Sequence, residues 1–124
     1  MSRTRVKALL TQDGRTVCEH CAVADSPWPR MRGLLGRREL PREEGLLIEP
    51  TWSVHMFFMR FAIDALFLDR DGVVLRVAEG LAPWRMASHR GARSVLELAA
   101  GEAGRRGIGV GDRLDLPSVM KAGR

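Results

Sequence analysis

Two side chains in the middle of the chain have the chemistry for acid–base catalysis, His55 and Asp64. A histidine titrates near neutral pH and can act as a general base or a metal ligand. Asp64 is the one charged residue in the apolar run 61–68, so in a strand its carboxylate is partly desolvated and needs a partner. For His55 the competing interpretation is a ring packed at the rim of a pocket. For Asp64 it is a structural ion pair with one of three arginines: Arg32, Arg60 or Arg85.

The sequence offers little further evidence for an enzyme. The sequence contains no nucleophile elbow, phosphate-binding loop, paired-histidine zinc motif or dinucleotide fingerprint. A catalytic imidazole also needs a nucleophile and an orienting carboxylate, and the sequence does not show whether Ser53, Asp64 or Cys21 approaches His55. The sequence therefore favours a protein that is not an enzyme and needs no cofactor. A small enzyme that uses His55 and Asp64 as acid and base is the alternative.

Aromatic and methionine side chains are concentrated between residues 52 and 86. Core filling is one interpretation, but consecutive residues of a strand face opposite ways, so residues 56–59 cannot all point into one small core. Some should line a groove that binds a peptide, a partner domain or an apolar small molecule. The arginines nearby would select an anionic group on that ligand. The predicted ligand-binding site has eight residues: His55, Met56, Phe58, Met59, Arg60, Asp64, Trp84 and Arg85.

Cys18 and Cys21 have the spacing of half a zinc site or of a dithiol redox pair. A structural zinc ion needs two more ligands, and His55 and His89 are distant in the sequence and unpaired. We therefore predict small core residues in a strand and no metal, with Cys18 and Cys21 as the weak candidates for metal or redox chemistry.

The chain carries 20 Lys and Arg against 15 Asp and Glu, a net charge of +5, and only Lys7 and Lys121 are lysines. An arginine excess without asparagine or tyrosine is typical of GC-rich codon usage, which spreads arginine over the surface. The charge is therefore weak evidence for nucleic acid, and the sequence argues against that partner. A nucleic-acid interface would need one stripe formed by four arginines: Arg30, Arg32, Arg37 and Arg38.

The basic start of the chain is followed by only three apolar residues, 8–10, which is too few for the core of a signal peptide. No run approaches the roughly 20 apolar residues of a membrane span. The sequence therefore predicts a cytoplasmic protein without a membrane span.

Strand and turn signals follow one another about every ten residues, which favours a small barrel or curled sheet over alternating strands and helices. We predict an α+β, predominantly β fold with seven or eight short strands in an antiparallel or mixed sheet and one clear short helix. It forms one domain, residues 1–118, with a disordered tail, 119–124. The predicted strands are 3–10, 15–24, 46–48, one ending at Leu68, 73–77, 94–98 and 113–116, and the helix begins at Ser26 and ends at Gly36, with one or two further helical turns within 101–107.

Several short blocks of the sequence, in order, resemble the prokaryotic "domain of unknown function 192" family. The blocks are residues 30–37 (RMRGLLGR), 45–48 (GLLI), 58–60 (FMR), 63–69 (IDALFLD), Pro83, 95–101 (VLELAAG) and 111–112 (GD). The resemblance covers nearly all of residues 20–116. It implies a small barrel-like α+β domain without an established activity. Many relatives have Trp-Met-Lys-Asn-Thr where this chain has residues 58–62, so no ligand is carried over from their polar pair.

Overall fold

The computed structural model describes residues 5–24 and 39–116, which form eight strands and one short helix. The strands are β1 (Arg5–Leu10), β2 (Thr16–Ala24), β3 (Glu44–Ile48), β4 (Ser53–His55), β5 (Ile63–Leu68), β6 (Val74–Leu81), β7 (Met86–Ser88) and β8 (Ser94–Ala99), and the helix is α1 (Glu102–Arg105). The predicted β-rich α+β fold is confirmed. The predicted helix 26–36 and the predicted tail lie outside the described residues.

Six strands form one mixed sheet in the order β1-β2-β3-β8-β5-β6, in which only the β2–β3 pair is parallel. The predicted last strand, 113–116, forms two isolated bridges instead. Leu114 bridges Thr11 beyond β1, and Arg113 bridges Val73 just before β6. The two outer strands therefore approach each other at one end, so the sheet is curled but not closed.

Strand β5 is buried along its whole length because both of its faces are covered. Leu66 and Leu68 belong to a core cluster that also contains Leu9 and Leu47. The alternate positions 63, 65 and 67 belong to a second cluster. Alternation along an extended strand explains the division, because successive side chains point to opposite faces. The strand within the apolar run 61–68 thus lies between two cores, one on each face of the sheet.

A second layer covers the second core. Strands β4 and β7 pair in an antiparallel two-stranded sheet, and Val54, Met56 and Ala87 point into the core beneath them. Backbone hydrogen bonds continue the pairing at both ends, from the Thr51 N–H to the Arg93 carbonyl (3.1 Å) and from the Met56 N–H to the Arg85 carbonyl (2.8 Å). We call residues 50–62 and 82–93 together the cover layer.

The absence of a side chain at Gly45 lets β3 pack between its neighbours. A Cβ atom there would lie 2.8 Å from the Cys18 Sγ and 3.0 Å from the Leu98 Cδ2. We expect Gly45→Ala to lower the free energy of unfolding by about 1–3 kcal/mol in urea titrations, because the core is overpacked. Gly104→Ala is the matched control, since its Cβ meets nothing within 4 Å and alanine favours the helix. Equal stabilities of the two variants would contradict the close packing at Gly45.

Candidate functional site

Asp64 lies apart from most of the predicted site. It is completely buried on the face of β5 that carries Leu66 and Leu68, opposite to the face under the cover layer. Neither Arg60 nor Arg85 forms an ion pair with it in the described structure, and Arg32 lies outside the described residues. The predicted ion pair with Arg60 or Arg85 is therefore wrong.

Backbone N–H groups satisfy the Asp64 carboxylate instead. Its Oδ1 accepts from Gly80 (2.9 Å), and its Oδ2 accepts from Gly101 (3.1 Å) and Ala103 (3.0 Å). Strand β6 has one extra residue opposite Asp64, and Gly80 adopts a left-handed φ of 59° in this bulge. Gly101 is the N-cap residue of α1, and Ala103 lies in its first turn. Asp64 thus joins β5, β6 and α1 and is not available to a ligand.

The structure does not bring His55 and Asp64 together. His55 lies on β4 in the cover layer, whereas Asp64 faces the opposite side of the sheet. The predicted acid–base pair is therefore not formed by these two residues.

Met56 and Met59 are core residues. Both are buried in the second core, under the cover layer. Phe57 and Phe58, between them, point outward. The rule that neighbouring residues cannot all point inward was correct for 56–59, but the exposed members are the two phenylalanines and not the two methionines.

An exposed group of rings lies on the outside of the cover layer. Phe58 is 62% exposed, Trp84 is 59% exposed, and Met86 is 64% exposed. Ring centroids are 4.8 Å apart for Phe58 and Trp84, 6.0 Å for Phe57 and Trp84, and 4.7 Å for His55 and Phe57. We call these five residues the aromatic face: His55, Phe57, Phe58, Trp84 and Met86. The predicted site omitted Phe57 and Met86, although the aromatic and methionine-rich composition of the segment pointed to them.

The backbone is strained at the two most exposed rings. Phe58 (φ 67°) and Trp84 (φ 71°) are the non-glycine residues with positive φ in the described part of the chain. Each lies at the third position of a tight turn, 56–59 and 82–85, closed by hydrogen bonds from Met59 to Met56 and from Arg85 to Ala82. Glycine or asparagine is favoured at that position when φ is positive. A larger residue there costs on the order of 1–3 kcal/mol, and such strain is concentrated at functional sites.

The two turns are held side by side. The Trp84 N–H donates to the Met56 carbonyl (2.8 Å), and the Met56 side chain is anchored in the second core. The relative placement of the Phe58 and Trp84 rings is therefore built into the backbone, which lowers the entropy lost when a ligand contacts both.

Positive charge is segregated in the same layer. The cover layer contains four arginines, all exposed, and no Asp or Glu: Arg60, Arg85, Arg90 and Arg93. The rest of the chain holds the other 16 basic and all 15 acidic residues, a net charge of +1. Glu49, just outside the layer, interacts electrostatically with Arg93. Arginine is therefore not clustered here, as expected, and the net positive charge of the layer results from the absence of acidic residues.

The two cysteines lie in the first core. Cys18 and Cys21 are buried and free. Strand β2 has one extra residue opposite the segment of β1 between Lys7 and Leu9. This bulge brings the two thiols, which are three residues apart, to the same face of the sheet. The hydrogen bond with Cys18, together with burial, raises the pKa of the Cys21 thiol, which disfavours the nucleophilic thiolate. Within residues 5–24 and 39–116, no cluster of three or more His, Cys, Asp or Glu residues is placed to hold a metal ion.

A shallow pocket lies between the β1–β2 turn and residues 111–113. Its charged groups already pair with one another, because the Arg15 guanidinium contacts Asp13 (3.2 Å) and Asp112 (3.1 Å). Arg15 also donates to the Gly107 carbonyl (2.6 Å). These contacts fasten the turn to the segment after α1, so this pocket is structural.

Comparisons with known proteins identify a family. The model of the DUF192 family, described as "Uncharacterized ACR", matches residues 8–116. No curated protein sequence matches the chain. None of the described helices is long and apolar enough to cross a membrane.

Two solved structures share the fold. The chain is 29% identical to a Sinorhizobium meliloti 1021 protein provisionally described as a transcription regulator, with a TM-score of 0.73 over 92% of this chain and 94% of that one. It is 24% identical to a Novosphingobium aromaticivorans DSM 12444 protein of unknown function, with a TM-score of 0.75 over 91% and 85% of the two chains.

Proposed function

This chain belongs to the DUF192 family, and we propose that it is a non-catalytic binding domain whose ligand lies on the aromatic face. One observation carries the proposal: Phe58 and Trp84 combine a left-handed backbone with a ring that is mostly exposed. Strain and exposed apolar surface both oppose folding, and neither ring fills a core. Contact with a ligand supplies a reason for both. The cytoplasmic location predicted from the sequence is part of this proposal.

The chemistry of the layer defines the class of ligand. Trp84 and Phe58 offer ring faces and edges to a planar or apolar group. Arg85 directly follows Trp84, and Arg60 lies two residues after Phe58; both are exposed. Guanidinium groups at these positions favour an anionic group beside the planar one. We therefore propose a ligand that combines a planar group with negative charge.

The geometry favours binding over catalysis. His55 lies at one side of the aromatic face. Of its three possible catalytic partners, only Ser53 lies on the same strand, where alternation places it on the same outward side as His55. A serine–histidine pair would still need a carboxylate to orient the imidazole. The cover layer contains no Asp or Glu, so the layer itself does not supply that third group.

A fluorescent probe with the proposed chemistry tests the site. Anilinonaphthalene sulfonate combines planar rings with one negative charge, and its fluorescence rises on binding. We expect Trp84→Gly to weaken its binding about tenfold or more, because the principal ring is lost. Phe58→Gly should weaken it less. Both variants should keep their stability within about 1 kcal/mol of the original chain, since glycine relieves the left-handed strain.

Two controls distinguish binding at the aromatic face from non-specific binding of the probe to other apolar surfaces. Val110→Ser removes an exposed apolar side chain outside the cover layer and should leave probe binding unchanged. The uncharged analogue phenylnaphthylamine should bind more weakly than the sulfonate, and the double variant Arg60→Gln/Arg85→Gln should abolish that difference. Unchanged sulfonate binding in a folded Phe58→Gly/Trp84→Gly variant would refute the proposed function.

A further inference from the structure

Building on the binding function proposed above, we infer that the ligand of the aromatic face is single-stranded nucleic acid. Its bases supply the planar groups and its phosphates supply the negative charge. The sequence argued against this partner because the arginine excess was expected to be spread evenly. The predicted stripe at residues 30–38 lies outside the described residues, so the inference depends on the cover layer instead.

The charge of the cover layer suits a chain of phosphates. Its four arginines are exposed and the layer itself contains no carboxylate, with Glu49 beside Arg93 at its edge, whereas basic and acidic residues nearly balance in the rest of the chain. A ligand with one isolated anionic group needs one or two cations. A continuous layer without any acidic residue instead suits a ligand whose negative charge repeats along its length.

The exposed rings suit unpaired bases. Stacking of bases on aromatic side chains, beside a positively charged surface, is the usual way in which proteins bind single strands without sequence preference. In a duplex the base faces are covered by their neighbours, so Trp84 and Phe58 could not reach them. The Phe57 and Trp84 centroids are 6.0 Å apart, less than the roughly 7 Å that a base inserted between two rings requires. Bases therefore stack on the outer sides of these rings.

The size of the layer implies a short site. Trp52, which is also exposed, lies four residues before Met56, whose carbonyl holds the Trp84 turn. Four residues of extended strand span about 13 Å, which is the length of only a few nucleotides. The inferred site is thus at the small end of the range known for single-strand binding domains.

Calorimetric titration of the purified full chain at low salt tests the inference with unlabelled twelve-nucleotide oligomers. The first is oligo(dT), and the second is an abasic oligomer with the same backbone and charge. We expect oligo(dT) to bind roughly 5- to 100-fold more tightly than the abasic oligomer, because only the first can stack. A duplex of the same length should also bind more weakly than oligo(dT).

Variants separate stacking from charge. Trp84→Gly should lower the affinity for oligo(dT) roughly 5- to 100-fold and leave that for the abasic oligomer within about twofold. The double variant Arg60→Gln/Arg85→Gln should weaken both oligomers. It should also reduce the slope of log affinity against log salt by about 1.4, the value for two phosphate contacts with a single strand. Val110→Ser is again the control and should change neither affinity.

Four outcomes would overturn the inference. Equal affinity for oligo(dT) and the abasic oligomer, unaffected by Trp84→Gly, would show a general preference for polyanions. If poly-L-glutamate bound more tightly than oligo(dT), and if Trp84→Gly weakened that binding, the partner would be an acidic peptide. Absence of oligonucleotide binding by a chain that still binds anilinonaphthalene sulfonate at the aromatic face would refute this inference and leave the proposed function intact. Loss of both kinds of binding would refute both proposals.

Discussion

Replacement of Asp64 by alanine is expected to lower the free energy of unfolding by about 3–5 kcal/mol. The carboxylate is completely buried and accepts three hydrogen bonds, from the N–H groups of Gly80, Gly101 and Ala103. Alanine would leave these donors without their acceptor. It would also separate the bulge of β6 from the first turn of α1. Urea denaturation followed by circular dichroism measures the loss.

The control for this change is Asp69→Ala. The Asp69 Oδ1 also accepts from two backbone N–H groups, Asp71 (2.8 Å) and Val73 (2.9 Å), but in a turn at the surface. Water can replace that carboxylate, so we expect a loss of only about 1 kcal/mol. Similar losses for both variants would contradict the structural role of Asp64. Asp64→Asn should keep its binding of anilinonaphthalene sulfonate, because Asp64 lies on the other side of the sheet.

A second large effect is expected at Glu102, a residue that is only 3% exposed at the start of α1. It accepts from the Arg105 Nη2 (2.7 Å) and the Arg106 Nε (3.0 Å). These hydrogen bonds lower the pKa of Glu102 from 4.5 to about 2, and the hydrogen bond with Arg105 contributes most. Because the folded pKa is depressed, the stabilisation is complete above the unfolded value and is lost as pH falls toward 2. Its size is about 2–3 kcal/mol after allowance for the half-exposed Arg105.

Glu102→Gln should therefore change the dependence of stability on pH. At pH 7 the variant should be about 2–3 kcal/mol less stable than the original chain, and the difference should shrink as pH falls from about 4.5 to 2. Chemical denaturation at a series of pH values measures both curves. Glu79→Gln, at an exposed position of β6, should remain within about 0.5 kcal/mol of the original chain. Parallel curves for Glu102→Gln and the original chain would exclude the depressed pKa.

The network of ion pairs and hydrogen bonds around Glu102 extends beyond α1. Arg106 also donates to the carbonyls of Thr16 (3.3 Å) and Arg42 (2.9 Å) and pairs with Glu19 (3.0 Å). The short helix is thereby tied to β2 and to the segment before β3. Four residues are too few to form a stable helix alone, so these long-range contacts, together with Asp64, hold it in place.

Local signals were sufficient for most of the fold. The Asp-Gly pairs at 13–14 and 71–72 are local turn signals, and they lie in the β1–β2 and β5–β6 hairpins, because glycine adopts the positive φ that each turn needs. The run 61–68, apolar except for Asp64, predicted a strand that ends at Leu68, and β5 ends there. Residues 113–116 were assigned a strand that the structure does not form. Whether that segment pairs depends on how closely the curled sheet brings β1 and β6 together, which no local pattern specifies.

The candidate site was only partly predictable. Composition pointed to the aromatic and methionine-rich segment, but alternation could not give the orientation of residues 56–59, because a turn with a left-handed Phe58 interrupts the strand. Asp64 was correctly expected to be buried. Its partners were missed, since the donors are backbone N–H groups from distant parts of the chain and backbone groups leave no mark in a sequence.

The amino-acid sequence by itself determined the β-rich class, the hairpin turns, the buried strand β5 and the presence of exposed aromatic and arginine side chains, because each depends on neighbouring residues. Tertiary structure alone decided which of these residues meet. Residues 50–62 and 82–93 both lack acidic side chains, and this is visible in the sequence. Only the pairing of β4 with β7 unites them in one layer. That pairing results from shared burial over the second core, a long-range effect that separates Asp64 from the aromatic face and places Trp84 beside Phe58.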